Sequence, residues 1–477
     1  MVTFRMVIAS LLLFIPVYGI GQDSIGLMPY AENPTYWQYR GQPLLLLGGS
    51  VTDHLFLIDD LEQHLDALQS VGANYVRNTM SQREERNLKP HRLLPTGKFN
   101  LDLWNDAYWE RFANFLAWTS ERTIIVQIEV WDRFDFSQEH WRDSPWNPVN
   151  NVNYTAADVG LATQYPDHPS RDRQPFFHSI PGMPNYLSQL DRIRDYQEAF
   201  VRKMLSYSFQ YDHVLYCMNN ETSTPAAWGQ YWIDLIRREA KSKGRIVQTT
   251  DMFDDAFRGD EAIHTPLIFN DAEHYTFADI SQVNSRNFDE THWERVNWLL
   301  ERVNQNRRPS NHVKIYGSGY LGFGTGGPED GVERFWRNLL AGSAAVRFHR
   351  EDSGNGFNDR AQASIKAGRL LEEQIKFWNV SPHMELLGDR EPNEAYLAAD
   401  PGNSYLLYFT NGGSVSLDLG GSPGHFKVTW ISLSMGIPVD TTSEQNKRKA
   451  TMSVEGETKV TLTAPYKGGW VAAIVRQ

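Results

Sequence analysis

Asn220 and Glu221 stand directly after the apolar run Val214–Met218, in the sequence CMNNETS. That junction is the edge of a buried strand, so a carboxyl group there faces a pocket with a side-chain amide at its shoulder. Breaking a glycosidic bond takes a protonated carboxylic acid beside the leaving oxygen and a second carboxylate nearby. A Glu at this place can also simply open the following helix. The second carboxyl candidate is Glu129, set inside the otherwise apolar VQIEV. A buried charge is costly unless it is paired or put to use. Glu129 is therefore either the chemical partner of Glu221 or the ion-pair partner of a cation such as Arg77. Glu221 and Glu129 form the expected catalytic pair.

Other polar residues end apolar runs in the same way. Asp132 lies just past Glu129, Asp251 follows RIVQTT, Arg77 and Asn78 close ANYVRN, and His349 closes AAVRFH. Asn220, Arg77, Trp131, Asp132, Asp251 and His349 make up the expected substrate-binding set, though each charged member also suits pairing with a buried partner. Asp53 and His54, in GGSVTDHLF, and Glu351, in RFHRED, carry the same two readings. Trp131, Trp141 and Trp146 lie in or beside a long aromatic-rich stretch, where they either stack on sugar rings or pack that stretch onto the core. No His-x-His follows a strand and no His-Glu-x-x-His occurs, so no metal is expected; His349 with Asp53 and Glu129 is the least remote ligand set. GSGYLG matches a dinucleotide-loop spacing but more Gly and a Pro follow where a helix would have to open. It reads as a loop over the pocket, and no cofactor is expected. The single cysteine, Cys217, sits in an apolar strand and reads as a small buried hydrophobe.

The elements that position these residues alternate between short β-like runs and longer amphipathic helices. Eight strands are expected: Pro43–Gly49, Ala73–Asn78, Thr123–Val130, His213–Met218, Arg245–Thr250, Tyr275–Ser281, His312–Gly317 and Ala344–His349. PLIFN (Pro266–Asn270) is the alternative sixth strand. Continuous apolar runs mark strands buried on both faces of a parallel sheet. The helical patterns are Asp59–Ser70, Asn105–Glu121, Leu190–Ser206, Pro225–Ser242, a weak one within Asp254–Ala262, His292–Asn306, Glu329–Ala341 and Ala361–Trp378. Eight strand-then-helix units imply an α/β fold, a (β/α)8 TIM barrel, whose active sites stand where the strands end. The long stretch Trp131–Tyr186 follows the third strand and would cover that end. Past about Met384, short strands between Gly-, Pro- and Asn-rich turns read as a small all-β sandwich. Its strand SYLLYF is expected to pack on the eighth helix, near Phe377 and Trp378.

The expected division is a signal peptide over residues 1–21, a barrel over 22–383 and an accessory β-sandwich over 384–477. Arg5 supplies a positive start, Met6–Val17 an apolar stretch and Gly19–Gly21 small residues for cleavage, with no Cys for a lipid anchor. A secreted or periplasmic protein follows, with no stable membrane insertion. A net charge of −12 argues against a nucleic-acid partner. The sequence sets no oligomeric state.

Asn-Glu at the end of the fourth barrel strand resembles the acid/base signature of the clan A glycoside hydrolases. The resemblance implies that Asn220 contacts a sugar hydroxyl and that Glu221 is the general acid/base. YTFADISQVN, RFWRNLLAGSAAVRFHR and NEAYLAADPGNSYLLYFTNGGSVSLDL are similar to apiosidase-like bacterial glycosidases, in which a barrel precedes a domain bearing a collagen-binding label. One feature departs from that pattern. The clan carries its nucleophilic Glu at the end of strand seven, where this chain has Tyr316, Gly317 and Ser318. The expected function is hydrolysis of an oligo- or polysaccharide. The alternatives are a non-catalytic carbohydrate-binding barrel and a lyase.

Overall fold

The computed structural model describes residues 26–84, 87–254, 264–317, 324–419, 424–438, 451–455 (backbone) and 459–477. The expected leader lies outside them, as do nearly all of GSGYLG and of the weak helix after strand five. Eight parallel strands form one sheet. They are β1 (Leu46–Gly48), β2 (Tyr75–Thr79), β3 (Ile125–Asp132), β4 (Val214–Asn220), β5 (Gln248–Thr250), β6 (Ala278–Asp279), β7 (Ser310–Ile315) and β8 (Ala345–Phe348). The order is β5-β4-β3-β2-β1-β8-β7-β6. The ring closes between its two ends, where the Thr276 amide donates to the Thr249 carbonyl at 2.9 Å.

Around it stand α1 (Leu61–Ser70), α2 (Asp106–Glu121), α3 (Asp191–Ser208), α4 (Ala227–Ser242), α5 (Thr265–Asn270), α6 (Asp289–Val303), α7 (Pro328–Leu340) and α8 (Asp359–Gln374). PLIFN belongs to α5 and is not a strand: Pro266 lies in the first turn, where its missing N–H costs nothing. A three-stranded antiparallel sheet (Leu27–Pro29, Trp37–Tyr39, Gln42–Leu44) sits at the start of the barrel. Buried Trp37 donates from Nε1 to Asn311 Oδ1 at 2.9 Å, at the N-terminal end of β7.

The barrel interior is more polar than the apolar runs suggest. Tyr75, Gln127, Asp279 and Asn311 form one buried hydrogen-bonded layer, with Tyr75 donating to Gln127 Oε1 at 2.6 Å and Gln127 to Asp279 Oδ2 at 2.8 Å. Arg77, Glu129, Lys314 and Arg347 are also buried on these strands. Each strand places successive side chains on opposite faces. The outward set packs on the helices, so the inward set is free to be polar where its groups satisfy one another.

The C-terminal β region pairs strands antiparallel. Ala395–Asp400, Ser404–Phe409, Trp470–Arg476 and His425–Ser432 lie in one sheet, and Ser414–Asp418 and Lys459–Thr463 in a second. Alternation divides the larger sheet. Leu397, Leu407, Phe409 and Ile474 fill the space between sheets, while Tyr396, Leu406, Tyr408 and Val471 join the core of the barrel helices. The Tyr396 ring lies 5.0 Å from Trp293 on α6, and Tyr408 lies 6.0 Å from Trp336 on α7. SYLLYF therefore meets α7 through Tyr408. Trp378 packs instead against Tyr30, at 6.3 Å.

Candidate active site

β4 ends on Asn220, and Glu221 then takes a φ of +55°. The left-handed region costs a residue other than glycine about 1–3 kcal/mol and persists where the surroundings enforce it. Here they do. Pairing with the chain beyond β5 resumes at once, with the Thr222 amide donating to Met252 O at 2.9 Å and the Asp254 amide to Thr222 O at 2.8 Å. Glu221 is thus a kink inside a ladder, and its side chain crosses the barrel mouth to β7. Its Oε1 accepts from Lys314 Nζ at 2.6 Å and from the Tyr316 hydroxyl at 3.2 Å. Lys314 also donates to Asn220 Oδ1 at 2.6 Å.

Asn220 is held on every side. Its Oδ1 accepts from Arg77 at 2.8 Å as well, and its Nδ2 donates to Asp132 Oδ2 at 3.0 Å. Asp132 in turn pairs with Arg83. Burial works to raise the Asp132 carboxyl, but Arg83 and the Asn220 amide outweigh it and hold it low. Asp132 is therefore a fixed anion that orients Asn220.

These groups edge a cavity of about 430 Å³, also lined by Asp53, Phe134, His349 and Arg350. Asp53, at the end of β1, and Asp254 are further carboxylates on its wall. The Asp53 Oδ1 lies 2.5 Å from Arg77, and Arg347 and Arg350 stand at 3.7 Å. Burial would raise this carboxyl, yet the cations around it hold it well below the usual range. His349 contributes little of that charge, because its own burial pulls the ring well below 6.5 and leaves it neutral. The His349 Nδ1 has no hydrogen-bond partner, and the ring packs on Tyr316 at 4.7 Å. Burial, reinforced by Glu221, raises the Tyr316 phenol well above its ordinary value, so it stays a donor.

Glu129 does not reach the cavity wall. It is fully buried, and its Oε1 accepts from Arg77 Nε at 2.6 Å. In register it is level with Cys217. That is four residues short of Glu221, roughly 13 Å along a strand at about 3.3 Å per residue. Arg77 fills the space above Glu129, joining it to Asp53 and Asn220. Of the two readings of Glu129, ion pairing with Arg77 is the one the geometry displays. Arg77 is likewise a buried organiser rather than a sugar contact. The imagined ligand set of His349, Asp53 and Glu129 has this guanidinium at its centre. Among the described residues no group of three or more His, Cys, Asp or Glu is arranged to hold a metal ion.

Asp251 lies away from the cavity. Both its oxygens accept from Asn219 Nδ2, at 2.9 and 3.0 Å, and it packs against Gly229 of α4. Trp131 is buried among Phe136, Phe176, Phe200, Trp228 and Trp232, so neither ring face is open to a sugar. Trp141 and Trp146 are buried too and pack the long loop onto the barrel. Phe134, half-buried and three residues beyond Trp131, lies on the cavity wall with Tyr316, and the Arg83 guanidinium stands over its ring at 5.7 Å. Sequence reasoning passed over Lys314 and Tyr316. The signal was present in HVKIYG, where a Lys interrupts an apolar strand just as Glu129 does in VQIEV.

Comparison with known proteins agrees with this architecture. Residues 94–266 match the family model described as a domain of unknown function, DUF6298. A comparison with curated proteins returns no match. The fold is similar to that of a glycoside hydrolase family 5 protein from Bacteroides vulgatus ATCC 8482, at 11% identity and a TM-score of 0.62, covering 94% of this chain and 93% of that one. It is also similar to a protein described as a glycoside hydrolase, at 10% identity and a TM-score of 0.63, covering 95% and 97%. The likeness spans nearly all of each chain and is one of fold.

Proposed function

We propose that this protein is a glycoside hydrolase that acts on an oligo- or polysaccharide outside the cytoplasm. The observation that carries the reading is that Glu221 and Asp53, which line the cavity together with Asp254, stand in unlike surroundings. Carboxyl groups whose environments differ divide naturally into one that moves a proton and one that stays charged. Asp53, ringed by arginines, suits stabilisation of positive charge at the anomeric carbon. Glu221 suits proton transfer, with Asn220 beside it for a sugar hydroxyl and Phe134 for a ring face. The shared fold with proteins described as glycoside hydrolases supports the assignment, and the leader-like N-terminus supports export.

Lys314, 2.6 Å from Glu221 Oε1, favours the ionised carboxylate, which suits a base or nucleophile. The acid role requires Lys314 to turn fully to Asn220 and release the carboxyl group. Kinetics of Glu221→Gln separate these roles. Loss of proton donation lowers kcat by about 10²- to 10⁴-fold on an unactivated glycoside and much less on one with a good leaving group. Loss of a nucleophile lowers both. Wild-type turnover of an unactivated glycoside by this variant would remove Glu221 from the chemistry. Asp53→Asn should lose activity on both substrate types.

One observation favours elimination as a second reading. Burial holds the His349 ring well below 6.5, its Nδ1 has no hydrogen-bond partner, and the ring packs on Tyr316 at 4.7 Å, which sets an imidazole and a phenol side by side. Product mass decides: hydrolysis adds water, elimination leaves an unsaturated sugar, and a binding protein yields no product.

A further inference from the structure

The cavity carries cations on one wall. Arg286 and Ser285 follow β6, Lys314 lies on β7, and Arg350 and Ser353 follow β8, all lining the same space. β6, β7 and β8 are neighbours in the sheet, so these groups share one side of the mouth. The chain as a whole has a net charge of −12, so a cationic wall is not a by-product of composition.

Most charges deeper in the site are committed. Lys314 is matched by Glu221 at 2.6 Å. Arg83 is matched by Asp132 and Asp135, and Arg77 by Asp53 and Glu129. Arg286 differs: it is exposed and forms no ion pair among the described residues. Arg350 reaches Asp53 only at 3.7 Å, beyond hydrogen-bond length, and Asp53 already has Arg77 at 2.5 Å. The close partner of Arg350 is Asp352, at 2.7 Å and outside the cavity lining, so Arg286 is the cation left to a ligand's charge and Arg350 adds to it from beside the site. The third feature is His349, nine-tenths buried on this wall, with a ring nitrogen that no protein group satisfies. A neutral sugar would leave the Arg286 guanidinium without an acceptor of matching charge. Guanidinium groups bind carboxylate and sulfate-like oxyanions with paired, charge-assisted hydrogen bonds.

We infer that the cavity takes a sugar unit bearing an anionic group, a carboxylate or a sulfate ester, received by Arg286 and Arg350 while the ring rests on Phe134. This rests on reading the cavity as a carbohydrate site, and it holds for hydrolysis and elimination alike.

Equilibrium binding to the full chain tests it without depending on turnover. Isothermal calorimetry would compare three oligosaccharides of equal length: an oligogalacturonate, a sulfated galactan fragment and a cello-oligosaccharide. One or both acidic ligands should bind at least about tenfold more tightly than the neutral one, and which of them does so distinguishes carboxylate from sulfate. Raising NaCl from about 50 to about 500 mM should shrink that preference, because exposed charges are screened. Arg286→Ala should remove most of the preference while leaving neutral-sugar affinity in place, and Arg286→Lys should restore part of it. Arg286 is exposed, so these variants should fold. Equal binding of acidic and neutral ligands, or equal weakening of both by Arg286→Ala, overturns the inference and leaves the carbohydrate site standing. Absence of binding by all three overturns both.

Discussion

Replacing Glu129 by Gln tests whether this acid belongs to the scaffold or to the chemistry. Burial pushes its carboxyl up to about 7, against the pull of Arg77, from the ordinary value of 4.5. An acid whose value is raised by folding stabilises the fold most while protonated. That contribution is complete below about pH 4.5 and is lost as pH rises through about 7. A rise of some two and a half pH units, at about 1.4 kcal/mol each, makes the loss roughly 3 kcal/mol. Gln keeps the shape and does not titrate. The stability difference between wild type and Glu129→Gln should therefore drift by roughly 2–3 kcal/mol in favour of the variant between pH 5 and pH 8. Urea unfolding midpoints of both proteins at pH 5, 6, 7 and 8 measure this, and taking the difference cancels the other titrating groups. Activity in the same preparations should stay within about tenfold of wild type, far above the loss a general acid or base would bring. A hundredfold fall in kcat in a stable variant would refute the assignment of Glu129 to the scaffold, whereas a difference that stays flat across this range would mean that Arg77 keeps Glu129 ionised from pH 5 upward.

Three further outcomes follow from contacts. Phe134→Ala should raise KM more than it lowers kcat, since the ring lines the cavity and carries no group that can move a proton; unchanged KM on every bound sugar argues against a platform there. Gly229→Ala would bring a Cβ to 2.1 Å from Asp251 Oδ2, so it should destabilise by at least about 1–3 kcal/mol, and the loss should shrink in the Asp251→Ala background, read by thermal melting. Truncation after Asn379 strips Tyr396, Leu406, Tyr408 and Val471 from the barrel helices, so Trp293 and Trp336 become exposed. The shortened chain should aggregate or melt at a lower temperature, and a soluble barrel of full stability would contradict the shared core.

Local sequence determined the order of elements and the place of Asn220 and Glu221, because apolar runs and the polar residues that end them are properties of neighbouring positions. It determined the second, β-rich region for the same reason: alternation and turn residues are local signals. It also marked Glu129 as an odd charge in a buried strand, and Lys314 in HVKIYG carries the same local signal. Only the tertiary structure decided what those charges meet. Strands β4 and β7 lie far apart in the sequence and across the barrel from each other, so nothing in HVKIYG says that Lys314 and Tyr316 converge on Glu221. Register decided that Glu129 lies level with Cys217 and too deep to share a pocket, whereas Asp53 rises to the wall from β1. Side-chain direction turned Trp131 into the aromatic core and left Phe134 at the cavity. Depth, direction and cross-barrel distance are set by how the ring closes, and a linear sequence carries that closure only through contacts it does not spell out.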